Sequence, residues 1–581
     1  MKFLFFIAVF VATSLKASAS QCKTIQASPS WPAAEAWDIL NSTLGGQLIT
    51  PLPPGSVCHP SQPSFDAAAC LSVTQQWNSS IFHSNNPVSV DWPNFFNDSC
   101  LPEASGFCDL SAYPANVVNA STSDHVRTAV NFARENNIRL VVKATGHDVL
   151  GREAYSAGIE FYEDYKPAGC KEPLGLTAAN IAAGMQMGAI YASAAAHNVT
   201  IVGGDVDTVG IIGLLTGGGY GPLSSTYGTA ADAALEFEVV TADGDLLVVN
   251  ECQHTDLFWA LRGGSAGTFG VVISVTVRTF PDVQISSHVL ILNVSSPNSE
   301  VFWDVATMLH SDLPRLTAGG FSGQYFIIPD SSDAPGAGFL GNLSASVLGG
   351  PPQGVISWEL SIVNNTIAAA EALAMPLLDR IGNLSSEISF EVQTAHFPDF
   401  ASYGASFNGL QEVGVNALVG GRFLDTASLQ HNHTFLKQTL KAAVAPTGGL
   451  LLGEPLMAEG VWKAIPRGGD NALSDAWRSA VTNLLIPVSW TSHNTTERDL
   501  VTSDLTNKRV AALRELAPNT GVYLNECDPN EPAFPEAFWG AKYSRLLAVK
   551  QRYDPHGVFY CRPCVGSEFY FEGVNGEVCL L

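Results

Sequence analysis

The stretch Ile138-Arg-Leu-Val-Val-Lys-Ala-Thr-Gly-His-Asp-Val-Leu-Gly-Arg152 decides the reading of this chain. Ile138 to Val142 is short, apolar and rich in β-branched residues, which predicts a buried strand. That strand feeds Lys143-Ala-Thr-Gly-His147, a glycine-containing turn whose backbone N–H groups can converge on an anion such as a pyrophosphate. His147 has two readings there, a satisfied turn histidine or a functional one, and spacing alone favours the former. Upstream, Ser123 or Asp124 can cap a helix over His125 to Asn136, whose Val126, Ala129, Val130 and Ala133 share one face.

Downstream, a helix-like run between Gly184 and Asn198 precedes a strand over Val199 to Val202. The glycine-dense segment from Gly203 to Gly221 follows, where missing side chains let the backbone approach something closely. Strands over Leu235 to Ala242 and Leu246 to Val249 flank Asp243-Gly244, a hairpin signal. Asp256 to Arg262 is helical in pattern, Gly263 to Gly270 is a second glycine loop, and Val271 to Thr279 is a further strand that Pro281 closes.

From 282 to 500 the pattern changes to longer alternating segments, such as Ser322 to Ile328 and Ile356 to Val363, with amphipathic helices near 367–381 and 430–445. Residues 501–581 carry a helix over 501–516 and a cysteine-containing tail. The expected organisation is therefore a signal peptide at 1–20, a disulfide-pinned segment at 21–115, an α/β unit at 116–281, a second α+β domain at 282–500 and a closing segment at 501–581. A chain of 581 residues exceeds what one ordinary core organises.

Composition narrows the partners. With 46% hydrophobic residues the chain can bury a core, which excludes disorder. Fifty-four acids against 29 bases give a net charge of −25, which repels a nucleic-acid backbone. Lys2, the apolar run Phe3 to Ala12 and the triplet Ala17-Ser18-Ala19 predict a secretory signal, too short to span a bilayer, and no later run predicts a membrane anchor. Eleven N-x-[ST] acceptors, from Asn41 to Asn494, agree with export and offer glycans to solvate a surface poor in charge. Eleven cysteines predict disulfides, with at least one cysteine left over; local spacing suggests Cys58 with Cys70 and Cys100 with Cys108, and a structural bridge for Cys561-Arg-Pro-Cys564.

Two motifs fail on context. Gly336-Ala-Gly338-Phe-Leu-Gly341 fits a dinucleotide fingerprint but follows Asp-Ala-Pro where a strand is required. Gly263-Gly-Ser265-Ala-Gly267 fits a nucleophile elbow, yet a helix precedes it and a strand follows, the reverse of what that motif needs.

Four segments, Ile138 to Arg152, Gly203 to Gly221, Leu257 to Val272 and Tyr523 to Pro555, stand in an order and at separations that resemble the secreted fungal branch of the berberine-bridge-enzyme-like flavoprotein oxidases, in the vanillyl-alcohol-oxidase superfamily. The resemblance runs from about residue 20 to the end. It implies an α+β fold: a two-part FAD-binding domain of the PCMH type, and a substrate domain with a mostly antiparallel sheet covered by helices. It implies FAD held by Lys143, Thr145, Gly146, His147, Asp148 and Gly151 of the first loop, by Gly204, Val209, Gly210, Gly213 and Gly219 of the second, and by Gly270, Val271 and Asn525. His147 matches the histidine bonded to the flavin 8α-methyl, and Tyr523-x-Asn525 matches a strand returning beneath the ring. The family's second tether, a cysteine in GxCxxVG, falls on Val206, so one covalent link at most is implied. The implied partners are a small-molecule substrate and dioxygen, with no metal, for a monomer.

The chain departs from the family after Gly151, where about a dozen residues are missing, and the glycine loop is one residue short before Gly217. A lost strand there would loosen or abolish flavin binding. The base that assists hydride loss has no motif; Tyr220, Tyr523 and Glu526 are candidates because they adjoin the matched segments. Three functions stay in view: an FAD-dependent oxidase of an alcohol, carbohydrate or secondary metabolite that forms hydrogen peroxide, an oxidative cyclase of secondary metabolism, and a flavin-free secreted glycoprotein.

Overall fold

A computed structural model of the chain describes residues 22–103, 106–147, 158–332, 352–406, 413–445, 449–573 and 576–581. The expected signal peptide, Asp148, Gly151, the shortened segment after Gly151 and the motif at 336–341 lie outside the described residues.

The N-terminal segment is more helical than its composition suggests, with helices at Ala34–Thr43, Ala67–Gln76 and Ser80–Asn85. Asp66 caps the second by accepting from the N–H groups of Ala68 and Ala69. Disulfides Cys58–Cys70 and Cys100–Cys108 pin the segment locally, as spacing suggested. Cys22–Cys579 joins the two ends of the chain, Cys170–Cys252 braces the next domain, and Cys561–Cys564 closes the tail. Cys527, buried, is the cysteine left over.

The helix after this segment spans Ser123–Glu135, and its cap is Thr122, not Ser123 or Asp124: the Thr122 hydroxyl accepts from His125 N–H. Ile138 to Val142 is not the predicted buried strand. It forms a single bridge, Thr24 with Ile138, and Val141 is 53% exposed, so too little apolar surface is covered to recruit a second partner strand.

Five antiparallel strands build the first sheet: β1 (Ile159–Tyr162), β2 (Ala178–Ala182), β3 (Ala234–Val240), β4 (Leu246–Asn250) and β5 (Val271–Arg278), in the order β1-β2-β5-β3-β4. The predicted hairpin is β3–β4, and Gly244 sits in its turn at φ +78°. The predicted strand at 199–202 shrinks to Val199–Thr200, paired with Phe280–Pro281. The helices at Met187–Ala195, Ile211–Gly217 and Thr255–Leu261 share a core with this sheet, in which Phe237, Phe269 and Leu257 are fully buried.

A seven-stranded antiparallel sheet follows: β6 (Ile285–Val294), β7 (Phe321–Ile328), β8 (Gly354–Val363), β9 (Ile388–Phe397), β10 (Ala417–Asp425), β11 (Leu451–Glu454) and β12 (Ala480–Ser489), in the order β9-β6-β8-β7-β11-β12-β10. Alternation along β7 separates its faces. Phe321, Tyr325 and Ile327 join a core with helices Glu300–Ala318, Ile367–Gly382 and His433–Ala443, while Ser322, Phe326 and Ile328 turn the other way. Burying each large side chain in that core contributes about 1.5–3 kcal/mol. The second face meets the first domain: Ser322 Oγ donates to Pro222 O at 3.1 Å and Ser225 Oγ donates to Ser322 Oγ at 3.2 Å.

The predicted helix over 430–445 begins at His433, because Asn432 caps it there, and the one over 501–516 is present and begins earlier, at Thr495, passing through a π turn at Leu505–Arg509 before Val510–Leu516. Helix Tyr543–Tyr553 then returns to the first domain. On it the buried Lys550 ammonium donates to Asp554 Oδ2, Thr268 O and Phe559 O at 2.6–2.7 Å, satisfying every N–H it has. No helix among the described residues is long and apolar enough to cross a membrane.

Candidate active site

Helix Ile211–Gly217 and the loop 265–272 enclose a cleft of about 550 Å3 of atom-free space, part of it open to solvent. Of the residues singled out from sequence, Gly210, Gly213, Gly270 and Val271 line it; Ala144, Ser265 and Ala266 line it too. At Gly213 an added Cβ would meet nothing within 4 Å, so that backbone is open to a ligand. Gly204, Val209 and Gly219 are not in the lining. Gly219 is required by packing instead: its φ is +70° and a Cβ there would lie 2.9 Å from Leu214 Cγ. Ser265 is buried at φ +95° between a helix and a strand, which agrees with rejecting the hydrolase elbow.

Thr145 sits behind Gly210, whose Cβ position is 3.3 Å from Thr145 Cγ2. Its hydroxyl is buried and has no hydrogen-bond partner among the described residues. Gly146 holds φ +91° at the turn, and His147 next to it is 8% exposed. Asp91, fully buried, places Oδ2 3.1 Å from His147 Nδ1, and Thr208 Oγ1 contacts Nε2. Burial, reinforced by the nearby His83 and Lys143, lowers the imidazole to about 4, so the ring is neutral even beside a carboxylate. Lys143 does not face the cleft wall: its ammonium donates to His83 O and Ser84 O at 3.4 and 3.3 Å.

The three catalytic candidates come together on the other side of the helix. Tyr220 and Tyr523 pack with ring centroids 4.9 Å apart and planes tilted by 47°, and Tyr220 Oη meets both Glu526 Oε2 and Glu454 Oε2. Asn483 Nδ2 donates to Tyr220 Oη at 3.0 Å and to Glu526 Oε2 at 2.9 Å. Trp477 and Phe423 close the wall behind them, with Trp477 5.2 Å from Tyr523. Tyr523 to Asn525 is not the expected strand; Leu524–Glu526 is a 3-10 turn, which points successive side chains to different sides and so sends Asn525 to Gly213 O, 3.0 Å away, and Glu526 to Tyr220.

One hydroxyl proton cannot serve two carboxylates, so the cluster must hold at least one more proton. Burial pushes Glu454 well above the carboxylate range, with repulsion from Glu526 next, while burial lifts Glu526 to about 7 against hydrogen bonds from Tyr220 and Glu454. Glu454 is thus the protonated member and Glu526 the one that titrates near neutrality. Asp205 is exposed by surface area yet crowded by surrounding protein, and that crowding raises its carboxyl as well.

Sequence reasoning missed Glu454, Asn483, Asp91 and Thr208. Glu454 and Asn483 are direct cross-strand partners on β11 and β12, and Glu454 is the one charged residue in the apolar run Leu450 to Leu456, a signal available in the sequence. Asp91 carries no such mark.

Residues 114–250 match the family described as "FAD binding domain" and residues 522–565 the one described as "Berberine and berberine like". The FAD-linked oxidoreductase hmp9 of Hypomyces subiculosus is 32% identical, covering 97% of this chain and 91% of its own. The bifunctional decalin synthase calF of Penicillium decumbens is 30% identical, with 96% of each chain covered. In three dimensions the VAO-type flavoprotein MtVAO713 of Myceliophthora thermophila superposes with a TM-score of 0.87 at 28% identity, over 97% of this chain and 100% of that one. The described residues fit FAD: the buried Thr145 hydroxyl and the open backbone at Gly213 are what a dinucleotide requires.

Proposed function

Because the chain belongs to the berberine-like FAD-linked oxidoreductases, we propose that it is a secreted, glycosylated oxidase that takes a hydride from an alcohol, carbohydrate or secondary-metabolite substrate and reduces dioxygen to hydrogen peroxide. Ala144, Thr145, Gly210, Gly213 and the loop 265–271 hold the FAD, and His147 tethers it; Val206 cannot supply a second, cysteinyl link. FAD, when bound, supplies the two-electron acceptor.

The observation that carries the reading is the Tyr220–Glu454–Glu526 cluster, a buried acid and base pair separated by environment. Glu526 Oε2, ionised above about pH 7, takes the substrate hydroxyl proton, which lowers the cost of losing hydride from the adjacent carbon. Tyr220 Oη orients that carboxylate, protonated Glu454 places no second negative charge beside it, and Asn483 donates to the oxygen that accepts. Trp477, Tyr523 and Phe423 exclude water behind it. The five disulfides and the N-terminal signal pattern support export.

A cyclase role rests on the decalin synthase among the relatives, since the same base can start ring closure. Acid precipitation of the purified protein should leave a yellow pellet, and His147→Ala should move the colour to the supernatant. A colourless wild-type protein refutes the flavoenzyme reading. Mass analysis of the products formed from sugars, phenolic alcohols and polyketide-like alcohols then separates an oxidase, which yields a carbonyl, from a cyclase, which yields a new ring.

A further inference from the structure

We propose that the substrate lies along a polar row crossing the second sheet and is gripped at its far end by Glu359 and Gln324, which select an elongated alcohol with a second hydroxyl about 10 Å from the carbinol that is oxidised. The inference deepens the oxidase reading above and rests on hydride loss taking place at Glu526.

The row follows from strand register. Gln324 on β7 is paired with Glu359 on β8. β7 pairs with β11 through Tyr325 and Gly453, so one step along the antiparallel ladder Gln324 stands beside Glu454. Glu454 is in turn paired with Asn483 on β12. These side chains sit on four neighbouring strands at one level of the sheet. Alternation puts them on one face, because their sequence neighbours Trp358, Leu360, Tyr325 and Leu484 are buried on the helix-covered side. Neighbouring strands lie about 4.8 Å apart, so Glu359 stands about 10 Å from Glu454, the member of the row that joins Tyr220. The levels on either side differ. On one, Ile291, Ser357, Phe326 and Leu452 are in register and supply a mostly apolar wall. On the other, the paired Ser322 and Ser361 are already taken: Ser322 Oγ donates to Pro222 O, and Tyr403 Oη donates to Ser361 Oγ at 3.0 Å. A long molecule is thereby confined to the row.

Glu359, Gln324, Glu454 and Glu526 each keep part of their surface open, although surrounding protein pushes the three carboxyls up. Side chains both open and enclosed line a hollow. Asp205, from the glycine-dense loop of the first domain, raises all three carboxyls further by its charge, so it faces the row from the other wall. At the far end a Gln324 N–H donates to Glu359 and opposes the rise that burial causes. An amide has a second N–H to offer beside that carboxylate, and a hydroxyl, which both donates and accepts, satisfies the two together. A methyl ether cannot donate and leaves the carboxylate desolvated without a partner for its open side.

The test is binding calorimetry on the full-length holoenzyme with its flavin already reduced, so that no hydride moves during the titration. The probes are a biphenyl with a para hydroxymethyl group on one ring and a para hydroxyl on the other, and the methyl ether of that far hydroxyl. Wild type should bind the diol about tenfold or more tightly than the ether. Glu359→Ala should bring that ratio close to one, and Glu359→Gln, which keeps an acceptor, should retain part of it. In anaerobic stopped flow on the oxidised enzyme, Glu359→Ala should change the limiting rate of flavin reduction by the diol less than it changes the affinity, since Glu359 acts away from the carbon that loses hydride. General damage to the site would weaken diol and ether alike and leave the ratio standing, which overturns the proposal. A wild-type ratio near one, or a wild type that does not bind the diol, overturns it as well. If Glu359→Ala does not fold, Gln324→Ala, which removes the neighbouring donor, must lower the ratio; an unchanged ratio overturns the proposal. A holoenzyme that shows the expected ratios but takes no hydride from the diol counts against the oxidase reading alone.

Discussion

Replacing Glu526 by glutamine should change stability and activity in opposite directions, because this carboxyl is held away from its ordinary ionisation. Burial is the main cause that lifts it from 4.5 to about 7; hydrogen bonds from Tyr220 and Glu454 oppose the rise and Asp205 adds to it. The folded state therefore binds more protons than the unfolded chain between those values, so the free energy of unfolding falls as pH rises from about 4.5 to about 7 and stays low above. At about 1.4 kcal/mol per pH step, the window amounts to about 3 kcal/mol. Glutamine cannot titrate, so urea unfolding at pH 4 and pH 8 should show the variant gaining about 3 kcal/mol on wild type between the two. Without the base, the rate of flavin reduction by substrate in anaerobic stopped flow should fall about 100- to 10,000-fold, and the acid limb near pH 7 should vanish. Glu454→Gln is the control: it keeps the shape and a donor toward Tyr220, and should keep the acid limb. A Glu526→Gln protein whose stability drops across pH 4.5–7 as steeply as wild type, or which turns over with the wild-type pH profile, refutes the assignment.

Lys550→Met leaves Asp554 buried beside two backbone carbonyls without its cation, and should cost about 3–5 kcal/mol in chemical denaturation; a loss under 1 kcal/mol would mean that water replaces the ammonium. Cys252→Ser opens a bridge that spans 82 residues, and the chain-entropy account puts the loss at about 4 kcal/mol, read by the same denaturation under non-reducing conditions. Unchanged stability would show that the strand network alone holds Cys170 in place.

Strands β3, β4 and β5 of the first sheet with their hairpin, and the alternating strands β7 and β8 of the second, were legible because period-2 patterns are local properties of the chain, whereas β1 and β2 were not. Ile138 to Val142 shows where that logic stops: the residues are strand-like, but pairing depends on which neighbour arrives, and among the described residues Thr24 is the one that does. Tyr523 to Asn525 fails for a related reason, since a tight turn that sends Asn525 one way and Glu526 another is set by the partners waiting at Gly213 and Tyr220.

By itself the sequence determined the fold class through its resemblance to a known family and singled out the glycine loops, His147 and three residues of the buried Tyr220–Glu526 cluster, because motifs and alternation are written in neighbouring positions. Tertiary structure alone decided that Glu454 joins Glu526 across 72 residues, that Asn483 faces both, and that Asp91, from a segment that looked like a mere leader, stands behind His147. The physical reason is that ionisation and tautomer are properties of a surrounding, and a surrounding of buried carboxyls exists only once distant segments have packed together.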